Sequence, residues 1–282
     1  MYQGRAMKIE LAESYGFCFG VKRAIKIAEE NRNSATYGPL IHNANEIDRL
    51  KNDFNVALSE NLDSFHAGDT AVIRTHGIPK QELSTLNERN VNVVDATCPY
   101  VTKPQQIVEE MSAQGYDIVI FGDESHPEIK GVKSYAIGNV FVINSPDEIE
   151  GLKLREKVAT VAQTTRKIEE YQQIVGKLMA KHKEVRIFNT ICNATFDNQD
   201  AVRDLAQKAD VMIIIGGKNS SNTKQLHSIA KEYCTDSYHI ESKDDLKFEW
   251  FLNKQFCGIS AGASTPDWII DDVVRAIQTI NE

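Results

Sequence analysis

The chain has no apolar run long enough to span a bilayer; its longest, such as Val211 to Ile215, are the size of a strand. Its first residues, Met1 to Ala6, lack the apolar core of an export signal. The strand-like pattern begins only at Met7, so this stretch reads either as an extended start or as residues foreign to the natural protein. A soluble, cytoplasmic protein is expected, without a membrane partner. A basic footprint is missing too. At a net charge of −8, broad binding to nucleic acid or to an anionic membrane is not expected. A small anionic ligand is still allowed, because a few local donors can outweigh a diffuse negative field. No glycine-rich dinucleotide fingerprint occurs, so neither bound NADPH nor bound flavin is expected. Cysteines number only five, and in a reducing compartment they should serve as thiols or ligands rather than in disulfides. Low-complexity segments and long linkers are also absent.

What is present is one structural sentence repeated nine times: a short apolar strand, a polar or glycine-containing turn, then an amphipathic helix. The nine fall into three sets, each opening on a cysteine. Strand Lys8 to Leu11 leads to the Cys18 turn, Val91 to Val94 to Cys98, and Val185 to Phe188 to Cys192. Two further turns follow each cysteine. They are 41–43 and 75–77 in the first set, 125–128 and 163–165 in the second, and 219–222 and 260–264 in the third. An independent marker, a serine followed by acidic residues and an aliphatic one, recurs at Ser59, Ser145 and Ser242. The cysteines lie 80 and 94 residues apart and the marker serines 86 and 97. Two unrelated features sharing one approximate period make chance a poor explanation.

The fold class expected is therefore α/β, as three small domains related by a pseudo-threefold, spanning 7–97, 98–191 and 192–282. The first includes the N-terminal strand and the Cys18 turn. Alternating strand and helix implies mainly parallel sheets, whose ligand-facing residues lie beyond the carboxyl ends of the strands. Three such domains facing one another would bring the cysteines and six polar turns to one central cleft.

A lone cysteine is most often a small buried apolar residue. That reading fits Cys257, in an apolar strand, and Cys234, at a helix end. It does not fit Cys18 between glycines, Cys98 before a proline, or Cys192 among asparagines and threonines. Each of these sits where a strand hands over to a helix, and a helix N-terminus favours thiolate, the metal-binding form. Structural zinc usually draws on close C-x2-C pairs, which these three do not form. Three widely spaced thiolates suit either zinc with an open position or a [4Fe–4S] cluster short of its fourth protein ligand. Such a cluster would leave one iron available as a Lewis acid.

His42, His76 and His126 occupy equivalent strand-end turns, whereas His66, His182, His227 and His239 read as surface or core residues. Ser220, Ser221, Asn222 and Ser264 add hydrogen-bond donors suited to an anion at helix N-termini. Helix capping is the bland alternative for all of them, and for Thr265 it is the reading adopted. Glu128 admits two roles: the end of an S-x-x-E capping box from Ser125, or a buried carboxyl group that stays protonated and acts as an acid. Thr164 could orient a substrate hydroxyl or simply cap.

Together these segments resemble the LytB family of 4-hydroxy-3-methylbut-2-enyl diphosphate reductases. The motifs are GFCFGV at 16–21, DATCP at 95–99, HPE at 126–128, QTT at 163–165, KNSSN at 218–222 and AGAS at 261–264. They occur in the family's order over nearly the whole chain. The resemblance implies three domains around an oxygen-sensitive [4Fe–4S] cluster on Cys18, Cys98 and Cys192. It implies a two-electron reductive dehydration of an allylic diphosphate to isopentenyl and dimethylallyl diphosphates, the last step of the non-mevalonate isoprenoid pathway. His42, His76, Ser220, Ser221, Asn222 and Ser264 match diphosphate contacts, with His126 close by. Glu128 matches the proton source and Thr164 the residue near the substrate hydroxyl. Ferredoxin or flavodoxin is the implied electron donor, and the RNA-binding extension of some relatives is not expected. The alternative is a quinolinate synthase-like iron–sulfur lyase, whose residues around the cysteines do not resemble those here.

Overall fold

The computed structural model describes residues 7–281 of the chain. In order, these form β1 (Lys8–Leu11), α1 (Phe19–Glu30), β2 (Ser34–Tyr37), α2 (Ala44–Phe54), β3 (Val56–Ser59), β4 (Thr70–Ile73), α3 (Lys80–Glu88) and β5 (Asn92–Asp95). Next come α4 (Pro99–Ala113), β6 (Asp117–Phe121), α5 (Pro127–Lys133), β7 (Val140–Ile143), β8 (Lys157–Ala162), α6 (Ile168–Lys181) and β9 (Glu184–Ile187). The chain finishes with α7 (Asn193–Ala206), β10 (Val211–Ile215), α8 (Ser221–Tyr233), β11 (Ser237–Ile240), β12 (Phe256–Ala261) and α9 (Asp267–Asn281).

The strands make three four-stranded sheets, in the orders β3-β2-β4-β5, β7-β6-β8-β9 and β11-β10-β12-β1. Every strand pair is parallel. In each sheet the outer strand beside the third member is the one that leads to a cysteine: β5 to Cys98, β9 to Cys192 and β1 to Cys18. This corrects the expected first domain. The strand Lys8–Leu11 pairs with Phe256–Ile259 and so completes the third sheet, not the first. Its local pattern says that it is a strand but not which open edge it joins. The free edge of β12 supplies the partner, because β12's other side is already bonded to β10.

By contact density the chain divides into two compact units. One holds the described residues of Met1–Phe19, His42–Glu46 and Asn193–Glu282, with the third sheet; the other holds Gly20–Ile41 and Ile47–Cys192, with the first two sheets. In the first unit, β10 is buried at all five positions and its side chains alternate between two cores. Val211, Ile213 and Ile215 pack with Ile269, Ile270, Val273 and Ile277 of α9. Met212 and Ile214 face Val202 and Leu205 of α7 and Leu226 and Ile229 of α8. Each such side chain contributes about 1.5–3 kcal/mol by leaving water, which makes this sheet a rigid base for the turns at its strand ends. In the second unit, β6 and β8 rest on α4 and α5 through Ile107, Val108, Met111, Ile129 and Val132.

The recurring marker serines each precede a 3-10 turn after the outer strand β3, β7 or β11. Ser145 and Glu148 make the reciprocal capping box there, and Ser242 caps Lys243–Asp245 through its side chain. The marker is thus architectural. Among the described residues no helix is long and apolar enough to cross a membrane.

Candidate active site

The three cysteines share one backbone anchor. The Cys98 N–H donates to the Thr75 carbonyl at 3.0 Å, Cys192 to Thr164 at 2.9 Å and Cys18 to Ala263 at 3.2 Å. Each acceptor lies two residues beyond the end of the neighbouring strand, β4, β8 or β12. The loops between strand and cysteine differ in length, so the same bond reached from three different loops fixes each thiol at a strand end. Helices α1, α4 and α7 begin at the next residue. Cys98 is the N-cap of α4, with Pro99 already in the helical φ range at the first position. Gly16, at φ +73° in the Cys18 loop, makes a turn that a side chain would strain.

Exposure separates the cysteines as their neighbours in sequence suggested. Cys18, Cys98 and Cys192 are partly exposed, while Cys234 and Cys257 are buried. Burial pushes the Cys257 thiol up to about 12, which makes it a core residue and a poor ligand. Each of Cys18, Cys98 and Cys192 is a partly exposed thiol at a helix N-terminus, which is the chemistry an iron–sulfur ligand needs.

In the second unit, Glu128 and Thr164 meet. The Thr164 N–H and hydroxyl donate to the two carboxyl oxygens of Glu128, both at 2.7 Å. Glu128 is 1% exposed, and burial raises its pKa to about 7, opposed by the two Thr164 bonds and by the Arg166 charge. The capping-box reading of Glu128 is corrected here. His126, not Ser125, is the N-cap of α5, and its Nδ1 accepts the Glu128 N–H at 3.2 Å. An imidazole performs the capping because Ser125 is drawn back to Asp123, to which both its N–H and its hydroxyl donate. The Glu128 carboxyl is thereby left to Thr164.

The rings of His76 and His126 stand edge-to-face with centroids 5.2 Å apart. The His76 turn is braced by Arg74, whose Nε donates to the Gly77 carbonyl. The loop carrying His126 and the turn carrying Thr164 are tied by Gln163, whose side-chain oxygen accepts the Asp123 N–H at 3.0 Å. The motif glutamine is therefore a brace, a role the sequence does not disclose.

In the first unit, Ser220 caps α8 by accepting the Thr223 N–H. Asn222, in the first turn, is 4% exposed, and among the described residues neither its amide oxygen nor its amide nitrogen has a hydrogen-bond partner. A buried amide with both ends open costs folding free energy unless something else satisfies it, and a ligand at this helix N-terminus would do so. The His42 carbonyl is held on two sides. Ser264 Oγ donates to it at 3.4 Å, and Gly217 approaches so closely that a Cβ there would lie 2.2 Å from it. Thr265, expected to cap a helix, instead donates its hydroxyl to the Ile215 carbonyl. With Pro266 between it and α9, its side chain serves the sheet end. Gln199 of α7 was not singled out from the sequence; its side-chain nitrogen is likewise buried without a partner among the described residues.

So Cys18, His42, Ser220, Ser221, Asn222 and Ser264 fall in the first unit, and His76, Cys98, His126, Glu128, Thr164 and Cys192 in the second. The model of the family described as LytB protein matches residues 9–278. The chain belongs to that family. The 4-hydroxy-3-methylbut-2-enyl diphosphate reductase of Sulfurimonas denitrificans is 70% identical over 96% of this chain and 99% of its own length. The enzyme of the same name from Nitratiruptor sp. is 65% identical over 97% and 99%. Among solved structures, one titled as this reductase, the terminal enzyme of the non-mevalonate pathway, is 45% identical with a TM-score of 0.70, covering 97% of this chain and 99% of its own. The Plasmodium falciparum reductase structure is 25% identical with a TM-score of 0.91, covering 96% and 88%. LytB membership over nearly the full chain favours the reductase over a quinolinate synthase-like lyase.

Proposed function

We propose that this chain reduces 4-hydroxy-3-methylbut-2-enyl diphosphate to isopentenyl and dimethylallyl diphosphates, the last step of the non-mevalonate isoprenoid pathway. In balance, the allylic alcohol takes up two electrons and two protons and loses its hydroxyl as water. Cys18, Cys98 and Cys192 hold a [4Fe–4S] cluster, which when bound supplies the electrons one at a time and a Lewis-acidic iron. A small one-electron carrier, ferredoxin or flavodoxin, delivers them, and the reaction is cytoplasmic.

The protein's own groups divide the remaining work. His42, His76, Ser220, Ser221, Asn222 and Ser264 bind the diphosphate, with His126 beside them. Thr164 orients the substrate hydroxyl while bonding Glu128. Glu128 is the acid: a pKa of about 7 keeps much of it protonated at neutral pH, ready to give its proton to the departing oxygen. In the arrangement described above both carboxyl oxygens accept from Thr164, which suits the ionised state after transfer. Rotation of the Thr164 hydroxyl lets the protonated carboxyl donate instead.

The buried carboxyl paired to Thr164 is the observation that carries this reading. Anaerobic turnover of the allylic diphosphate by cluster-loaded protein, with dithionite and a viologen mediator, tests it. Formation of the two five-carbon diphosphates supports the assignment, and a fully loaded protein that makes neither refutes it.

A further inference from the structure

We propose that His239 and Glu241, at and just beyond the end of β11, are positioning residues that fix the turn before α8 so that Ser220 and Asn222 stand ready for the substrate's diphosphate. The inference rests on the reading of Ser220 and Asn222 as diphosphate contacts.

The turn, residues 216–219, joins β10 to α8 and opens on two glycines. Both permit a close approach. A Cβ at Gly216 would lie 2.5 Å from the Thr223 hydroxyl oxygen, and one at Gly217 would lie 2.2 Å from the His42 carbonyl oxygen. Glycine allows such contacts but leaves the backbone free to move, so the shape of the turn has to be fixed from outside. The end of β11 does this with three bonds. The Gly216 N–H donates to the Ile240 carbonyl at 2.8 Å. His239 Nε2 donates to the Gly216 carbonyl at 2.8 Å, and Glu241 Oε1 accepts the Lys218 N–H at 2.8 Å. The two peptide groups flanking Gly217 are thus each held by a side chain. The second of them, through the Gly217 carbonyl, accepts the Ser220 N–H at 2.9 Å, so Glu241 reaches the N-cap of α8 through one peptide. Glu241 is itself tied down: its N–H donates to Asp245 in the 3-10 turn that Ser242 caps. Burial lowers the His239 pKa, so near neutral pH the donor is the uncharged ring.

The other two sheets are an internal control. Gly38 after β2 and Gly122 after β6 make the same backbone bond, to the Ser59 and Ile143 carbonyls, both at 2.8 Å. There the positions of His239 and Glu241 are taken by Leu58 and Glu60, and by Val142 and Asn144. Leu58 and Val142 have nothing to donate, and Asn144 accepts from Arg166 instead. The backbone bond alone therefore closes a strand-end turn of this fold. The added polar pair belongs to the turn that leads to Asn222, whose buried amide has no hydrogen-bond partner among the described residues. A slack turn at that place would weaken ligand binding before it weakened the sheet.

Anaerobic calorimetry of inorganic diphosphate binding to the cluster-loaded protein reads the effect without turnover. His239→Phe keeps a ring and removes the donor, and Glu241→Ala removes the acceptor. Each is expected to weaken binding about threefold to tenfold, the usual effect of one lost hydrogen bond. The double variant should lose less than the product of the two, because both side chains hold one turn. His239→Gln can still donate. Glu241→Gln gives up the charge that stands 4.0 Å from the Lys218 ammonium but keeps an acceptor. Both Gln variants should bind within about twofold of the wild type. KM for the allylic diphosphate should rise and recover in the same order at matched iron content. A purely structural role would lower the melting temperature and leave the affinity unchanged. Wild-type affinity in folded His239→Phe or Glu241→Ala overturns the inference, and so does equal weakening in the Gln variants. The two positions are separate tests, so if one variant fails to fold the other decides. Asn222→Ala distinguishes the inference from the reading beneath it. If the β11 variants bind normally, a weakened Asn222→Ala leaves the diphosphate reading standing, and an unweakened one removes both.

Discussion

At the scale of single residues, Glu128 carries most of the consequence. Because its folded-state pKa of about 7 lies above the unfolded 4.5, its contribution to stability is fully present below pH 4.5 and is lost as pH rises through 7. A shift of that size corresponds to about 3 kcal/mol. Glu128→Gln has no charge to bury, so its stability relative to wild type should grow from pH 5 to pH 8 by about that amount, read by anaerobic urea unfolding. A constant difference across that range would mean that the carboxyl is solvated. Asn222 gives a second residue-scale test. Its amide already sits desolvated, so Asn222→Ala should raise KM for the diphosphate by about tenfold or more with little change in kcat. An unchanged KM would place the substrate elsewhere. Iron retention tests the thiols. Cys98→Ser should lose the cluster and Cys257→Ser, in the sheet interior, should keep it; equal iron loss in both would contradict the ligand assignment.

Among the secondary-structure elements, the strand-end turns were legible and their bracing was not. The sequence discloses that a strand, a turn and a helix follow one another at Cys18, Cys98 and Cys192, because residue type and period are local. It does not disclose that all three N–H groups reach a carbonyl two residues past a neighbouring strand, since that partner lies far along the chain. Ser125 and Glu128 show the same limit: their spacing satisfies a capping box, yet Asp123 captures the serine and Thr164 the glutamate. Gly217 offers the element-scale test. A methyl there would meet the His42 carbonyl at 2.2 Å, so Gly217→Ala should displace the segment that begins α2. The expected signature is a raised KM at unchanged cluster content, together with about 1–3 kcal/mol of overpacking strain. Loss of iron with unchanged KM would contradict it.

At the scale of the whole molecule, three sheets share one strand order, and the N-terminal strand closes the last of them. The period of the cysteines points to three strand-and-helix sets, matching the three sheets, but a linear reading assigns β1 to the set it precedes. Only the pairing with β12 shows that the third sheet is assembled from the two ends of the described chain. Each cysteine is thereby placed where the chain leaves one sheet and enters the next helix. The helix after Cys98 packs on β6 and β8, and the helix after Cys192 on β12 and α8. The measurement that tests the central claim most directly is product analysis after anaerobic reduction of 4-hydroxy-3-methylbut-2-enyl diphosphate, by wild type and Glu128→Gln at matched iron content. The account expects isopentenyl and dimethylallyl diphosphates from the wild type and much slower formation from the variant. Absence of both products from the loaded wild type, or equal rates from the two proteins, would contradict it.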